Sequence, residues 1–501
     1  MQYFCKVKNF LQSQEEICNR YKLNIEKTAF LLFLAEMRHF YSQDEQYGLQ
    51  RLLEFNIFRK IFIKTIKSFP VSENLLTNQK MFAIIDTKSI RRLDMVERKE
   101  YLKKLIAWKD EQVIKVVTGI RRCGKSTLLE LYKNYLRTNG VAENRIVTVN
   151  FEELENEWLL DYKALYDYLV KKLDKNDTTY IFLDEIQKVS GFEKVVDSLY
   201  VKNGVDVYIT GSNSYLLSSE LATLLSGRYI EIKMLPFSFK EYADVKQSAD
   251  KDKLFAEYMR QGSFPYVATM RDGEEKIDSY IEGIYNTVIV KDIEERQNRK
   301  EKDPAKRKIT DIALLKNIAK YLASVIGSPV SVKNITDNIV SSGRKVSQNT
   351  VDDYIEALTE AFIYYPVERY DISGKQILKQ SVKYYVVDLG LRRYLLPKRE
   401  YDLGYSLENL VYLELIRRGY NVTVGKVGTT EVDFVARKNE ITQYIQVSAS
   451  LTDEKTFDRE MFPLRAIKDN YPKTILTLDK FTLGNYEGIE VQSAIDWFLK
   501  D

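Results

Sequence analysis

Residues 113–129 read VIKVVTGIRRCGKSTLL. The apolar run Val113–Thr118 has the composition of a buried strand. Beyond it Leu128, Leu129, Tyr132, Tyr135 and Leu136 recur at helical spacing. Between the two, Gly119, Ile120, Arg121, Arg122, Cys123, Gly124, Lys125 and Ser126 fit G-x-x-x-x-G-K-[ST], with Thr127 following. Strand, glycine loop and helix are the setting in which this pattern cradles a polyphosphate. The glycines let backbone N–H groups turn inward around an anion, and the helix N-terminus adds the positive end of its dipole. In that reading Lys125 reaches the β- and γ-phosphates of ATP, and the Ser126 hydroxyl is a ligand of Mg²⁺.

Downstream the pattern alternates strand and helix, the mark of an α/β domain with a parallel sheet. Ile146–Phe151 reads as a strand ending at Glu152 and Glu153, and Tyr162–Lys172 as a helix. Tyr180–Leu183 is a buried strand that delivers Asp184 and Glu185. Val205–Thr210 runs into Gly211, Ser212 and Asn213. Polar groups beyond the carboxyl ends of parallel strands are where such sheets bind ligands. Asp184 is the expected second Mg²⁺ ligand and Glu185 the general base that polarises an attacking water. Thr210, Ser212 and Asn213 are either a sensor of the γ-phosphate or a polar turn. Arg228, within Leu-Ser-Gly-Arg-Tyr, is either an arginine finger, for its own or a neighbouring site, or a surface arginine.

These stretches, together with YIFLDEIQKV (180–189), ITGSNSYLLSSELATLLSGRY (209–229) and LPFSFKEY (235–242), resemble the bacterial and archaeal AAA-type ATPases of the AAA_14 group, which carry a C-terminal DUF4143 region. The resemblance continues through GSFPY (262–266), TVDDYIEALTEAFIYYPVERYD (350–371), KYYVVDLGLRRYL (383–395), LENLVYLELIRRGYNV (407–422), EVDFVA (431–436) and YIQVS (444–448). It runs from about residue 90 to the C-terminus. It implies an ATP-binding protein of the ASCE type, with ATP and Mg²⁺ as cofactors.

At 501 residues the chain calls for about two to four domains. The composition is globular, 45% hydrophobic and 30% charged, and a net charge of +4 is too mild to argue by itself for nucleic acid. Three cysteines without paired spacing suit a reducing cytoplasm. A single histidine, His39, excludes a His-based nucleophile triad, a multi-His zinc site and a His-dependent nuclease motif. The run Ala29–Ala35 is too short to span a bilayer, so no membrane partner is expected.

Residues 1–89 read as a helical extension without a chemical motif, ahead of the P-loop ATPase domain at 90–245. Residues 246–308 hold a helical segment and a basic connector, Lys291–Lys308, either a solvated loop or a phosphate-contacting segment. Over 309–400, helices at Asp311–Ile326, Val332–Val340 and Asn349–Phe362, the last capped by Ser347 or Asn349, precede strands at Tyr364–Tyr370 and Lys383–Asp388. That is the outline of a winged helix. Its third helix carries Asp352, Asp353, Glu356 and Glu360, poor chemistry for a phosphate backbone, so DNA contact and protein docking stand as equal alternatives.

Residues 401–501 read helix, three strands, helix, strand, which looks like the core of the PD-(D/E)xK nuclease-like fold. That core needs a helix carboxylate, a strand Asp, and Glu-x-Lys on the next strand. Glu408 and Asp433 match; Gln446 stands for the Glu and Ser448 for the Lys. Gln offers Mg²⁺ only a neutral oxygen, and Ser cannot stabilise developing charge. Glu431 shares a face with Asp433, and a displaced lysine, such as Lys426 or Lys438, would be the rescue. Three functions compete: an ATPase coupled to the C-terminal half, a nucleotide-gated switch binding DNA, a protein or a second copy, and an ATP-regulated nuclease.

Overall fold

The computed structural model describes residues 96–211, 225, 227–270, 273–288, 293, 309–397 and 402–500. The helical extension at 1–89, nearly all of the basic connector, and Ser212 and Asn213 lie outside the described residues. Helix α1 (Lys99–Ala107) leads into β1 (Ile114–Thr118), α2 (Lys125–Thr138), β2 (Ile146–Asn150), α3 (Tyr162–Lys172), β3 (Thr179–Asp184), α4 (Phe192–Tyr200), β4 (Val205–Gly211) and β5 (Tyr229–Lys233). The strands pair in parallel in the order β2-β3-β4-β1-β5. Strand β4 therefore separates the glycine-loop strand β1 from the Asp-Glu strand β3.

Successive strand residues face opposite sides, so both faces must be apolar. Val116, Ile181, Leu183 and Ile209 pack with Leu165, Leu169, Val195 and Leu199 of α3 and α4. Val117, Tyr180, Phe182 and Tyr208 pack with Tyr101, Leu105, Leu128 and Tyr132 of α1 and α2. Coverage on both faces is why these strands read as unbroken apolar runs. Lys115 interrupts the run in β1 and is fully buried. Its ammonium donates to Asp206 Oδ1 at 2.6 Å and to the Glu111 carbonyl at 2.6 Å. Asp206 also accepts from the Asp110 amide and the Tyr208 hydroxyl.

A helical layer follows: α5 (Phe239–Lys246), α6 (Lys251–Gln261), α7 (Pro265–Thr269) and α8 (Glu274–Asn286). Helix α5 opens with a reciprocal capping box, the Ser238 hydroxyl accepting from the Glu241 amide and the Glu241 carboxylate from the Ser238 amide. Ser238→Ala is expected to lower stability by about 1 kcal/mol, read as a shift of the denaturant midpoint at constant slope.

Helices α9 (Ile312–Ser324), α10 (Val332–Ser341) and α11 (Gln348–Glu360) precede the antiparallel strands β6 (Tyr364–Asp371) and β7 (Gln376–Val386). The side-chain cap of α11 is Ser347, which accepts from the Thr350 amide. Strand β7 starts well before Lys383. Then come α12 (Leu389–Leu395), α13 (Leu403–Arg417), β8 (Asn421–Val427), β9 (Thr430–Lys438), β10 (Ile441–Ser448), α14 (Glu454–Ala466), β11 (Lys473–Thr477), β12 (Gly484–Tyr486), β13 (Ile489–Ser493) and α15 (Ala494–Leu499). Strand β6 pairs in parallel with β8, Arg369 opposite Val424 and Asp371 opposite Lys426. The hairpin thus joins a mixed eight-stranded sheet, ordered β12-β13-β11-β10-β9-β8-β6-β7. Hydrogen bonds cross the line expected between 309–400 and 401–501. No helix among the described residues is long and apolar enough to cross a membrane.

Candidate active site

The loop between β1 and α2 is built around two glycines with positive φ, Gly119 at 144° and Gly124 at 105°. A Cβ on Gly119 would lie 2.1 Å from the Met234 carbonyl oxygen, so only glycine lets β1 turn this close to the segment after β5. Lys125 begins α2 and is buried; its ammonium donates to the Gly119 carbonyl at 3.0 Å and lies 3.9 Å from Glu185 Oε1. The Cys123 side chain is buried and Arg122 is exposed, while Arg121 pairs with Glu152 beyond β2 at 2.7 Å.

Asp184 closes β3, and Glu185 follows with φ 55°, a left-handed turn that aims its carboxylate back over the loop toward Lys125. The Ser126 hydroxyl lies close to the Asp184 carboxylate. Thr210, at the end of β4, donates to Asp184 Oδ1 and accepts the Glu185 amide at 3.0 Å. Gln187 donates to Glu185 Oε2. Burial pushes the Asp184 carboxyl above its ordinary range, opposed by the Thr210 and Ser126 hydroxyls. Oxygen donors from Ser126 and Asp184 suit a hard cation such as Mg²⁺, which keeps several waters and needs few protein ligands.

Gly119, Ile120, Arg121, Arg122, Cys123, Gly124, Lys125, Ser126 and Thr127 thus meet Asp184 and Glu185 at the carboxyl ends of the strands. Arg228 does not join them. It precedes β5, its carbonyl accepts the Ile114 amide, and its guanidinium pairs with Asp197 and lies over the Tyr200 ring. That is the amino edge of a parallel sheet, a full strand length from the loop. Its nearness to the motifs in sequence is cancelled by the direction in which β5 runs.

In the C-terminal half Glu408 on α13 and Asp433 on β9 come together, but around a lysine foreseen at neither Lys426 nor Lys438. Lys383 of β7 reaches Glu408 Oε1 at 3.0 Å, Glu431 Oε1 at 2.7 Å and Asp433 Oδ1 at 3.7 Å. Lys438 instead donates to the Arg418 carbonyl. Gln446 accepts from the Asp433 amide and donates to Glu460, and Ser448 donates to the Ser450 carbonyl.

Residues 111–243 match the family model described as an AAA domain. An uncharacterised protein of Haemophilus influenzae is 39% identical over 411 residues, covering 81% of this chain and 99% of that protein. This chain is an AAA-domain protein of the same family. An uncharacterised protein of Methanocaldococcus jannaschii is 30% identical over 430 residues, covering 81% of the chain and 89% of that protein. Residues 252–402 match a domain of unknown function, DUF8612, in place of the DUF4143 region that the motifs had suggested. Among solved structures, the Walker-type ATPase of Pyrococcus abyssi aligns at TM-score 0.42 and 16% identity, over 61% of this chain and 97% of that one. The Aeropyrum pernix ORC1 protein in complex with DNA aligns at TM-score 0.30 and 14% identity, over 60% of this chain and 92% of that one.

Two arginines that carry no motif meet at Glu241: Arg98 joins it to the loop within the AAA domain, and Arg417 joins it to the C-terminal half. Arg98 is almost fully buried; it donates to the Cys123 carbonyl in the loop at 2.8 Å, to the Leu235 carbonyl at 2.6 Å and to Glu241 at 2.8 Å. Arg417, near the end of α13, donates to the Pro236 carbonyl at 2.8 Å and to Glu414 at 3.1 Å, and lies 3.9 Å from Glu241. Read in sequence, both look like solvated helix charges.

Proposed function

We propose that the chain is a Mg²⁺-dependent ATPase whose nucleotide state is communicated to its C-terminal half. The observation that carries this reading is the convergence of Lys125 and Glu185 above a glycine loop, with Ser126 and Asp184 close together beside them. Lys125 and the loop amides hold the triphosphate, and Ser126 and Asp184 hold the cation. Bound there, Mg²⁺ neutralises charge on the β- and γ-oxygens. Glu185 orients the attacking water and takes its proton. Thr210 fixes Asp184 and the Glu185 backbone with one hydroxyl, a positioning role. Arg228 faces away from its own nucleotide, so any finger role would be exercised on a neighbouring molecule. The test is phosphate release: Lys125→Ala is expected to lose both ATP binding and turnover, and release at the parent rate would sink the assignment.

A second reading is a nucleotide-gated switch with little turnover. It is favoured by the path from the Cys123 carbonyl through Arg98 and Glu241 to Arg417, which gives the loop a direct mechanical connection to α13. DNA affinity that differs between ATP and ADP, and falls with salt, is what its DNA version requires. No binding at low salt in either state leaves a protein or a second copy as the partner. Asp352 and Glu356 are exposed on α11, which argues against that helix as the surface for a phosphate backbone.

A further inference from the structure

A nuclease of the PD-(D/E)xK kind works through a divalent cation held between a helix carboxylate and strand carboxylates. Here the space between Glu408, Glu431 and Asp433 is taken by the ammonium of Lys383, whose side chain is only 3% exposed. An ammonium has three N–H donors, and three carboxylates surround this one. The same carboxylates have other partners. The Tyr385 hydroxyl donates to Glu408 Oε1 at 2.6 Å, Arg369 lies 3.3 Å from Glu431 Oε2, and the Val447 amide donates to Asp433 Oδ2 at 2.9 Å. Gln446, at the position of the missing Glu, spends its side chain on the Asp433 backbone amide and on Glu460, and Ser448, at that of the missing Lys, donates to the Ser450 carbonyl. The residues present therefore do not fit a divalent metal.

We infer that Lys383 is a tethered cation standing where the metal of a nuclease would sit, so that the cluster is a closed ionic joint between the β6–β7 hairpin and the α13–β9 core. Three carboxylates, Glu408, Glu431 and Asp433, thus share two cations, Lys383 and Arg369. A divalent ion entering would have to displace the buried Lys383 ammonium, or meet that like charge within a few ångströms while competing for the same carboxylates. The inference is independent of ATP turnover.

The experiment is Mn²⁺ titration of the nucleotide-free full chain, followed by electron paramagnetic resonance, with plasmid cleavage as a second readout. The parent and Asp433→Asn are expected to bind the same number of Mn²⁺ ions, and neither should cleave DNA. Lys383→Ala is expected to gain one Mn²⁺ per chain, and Lys383→Ala/Asp433→Asn to lose it again. Lys383→Arg, which keeps the positive charge, should resemble the parent. A Mn²⁺ ion or a cleavage activity in the parent that disappears with Asp433→Asn overturns the inference, as does a folded Lys383→Ala chain that gains no ion. If Lys383→Ala does not fold, the comparison of the parent with Asp433→Asn still decides.

Discussion

Glu185→Gln is expected to reduce ATP turnover by about 10²–10⁴-fold while leaving ATP binding intact. The substitution keeps the shape of the side chain and the left-handed turn that presents it. It also keeps the bond from the Glu185 amide to Thr210, which belongs to the backbone. What it removes is the carboxylate proposed to take a proton from water, an expected loss of about 3–5 kcal/mol of transition-state stabilisation. Lys125→Ala should fail at binding, whereas Glu185→Gln should bind ATP and hold it unhydrolysed. Equilibrium binding and single-turnover hydrolysis on the same preparation separate the two. A Glu185→Gln chain that hydrolyses ATP at the parent rate would remove Glu185 from the chemistry.

Asp206→Ala is expected to lower stability by about 3–5 kcal/mol. The change leaves the fully buried Lys115 ammonium with the Glu111 carbonyl but without its counterion, and strips the Asp110 amide and Tyr208 hydroxyl of their acceptor. The double substitution Lys115→Met/Asp206→Leu removes the charge together with its partner and should recover most of the loss, since a buried ion pair is itself only weakly stabilising. Urea denaturation of the three variants and the parent completes the cycle. A loss under about 1 kcal/mol for Asp206→Ala would mean that the pair is solvated in solution.

The nucleotide side of the molecule was legible because its chemistry is local. Gly119 to Ser126 occupy one loop, Asp184 and Glu185 are adjacent, and each group follows a strand whose apolar run announces it. Side chains brought together by tertiary pairing left no such trace. Lys383 lies 25 residues from Glu408, on a strand that enters the C-terminal sheet only because β6 pairs with β8. No spacing rule connects those positions, and the lysines proposed instead were the ones near Asp433 in sequence. Arg98 and Arg417 were hidden for a related reason: an arginine at the end of a helix reads as solvated until its packing partners are known. Arg228 shows the reverse: it is close to the motifs along the chain but held away from its own loop by the direction of β5, which leaves only the neighbouring-site and surface readings. The three-helix-and-hairpin outline was visible from periodicity, whereas the merging of the hairpin into the larger sheet depends on a parallel pairing that periodicity does not encode.

The placement of β4 sets a gauge for the site. Because one strand intervenes, the β1 and β3 backbones stand about two inter-strand spacings apart, roughly 9–10 Å. That width is fixed by the hydrogen-bond pitch of the sheet and cannot drift with side-chain motion. Thr210, at the end of the intervening strand, sits between the two and bonds both Asp184 and the Glu185 amide. An insertion or bulge in β4 would therefore miscalibrate the distance between lysine and carboxylate without touching either residue.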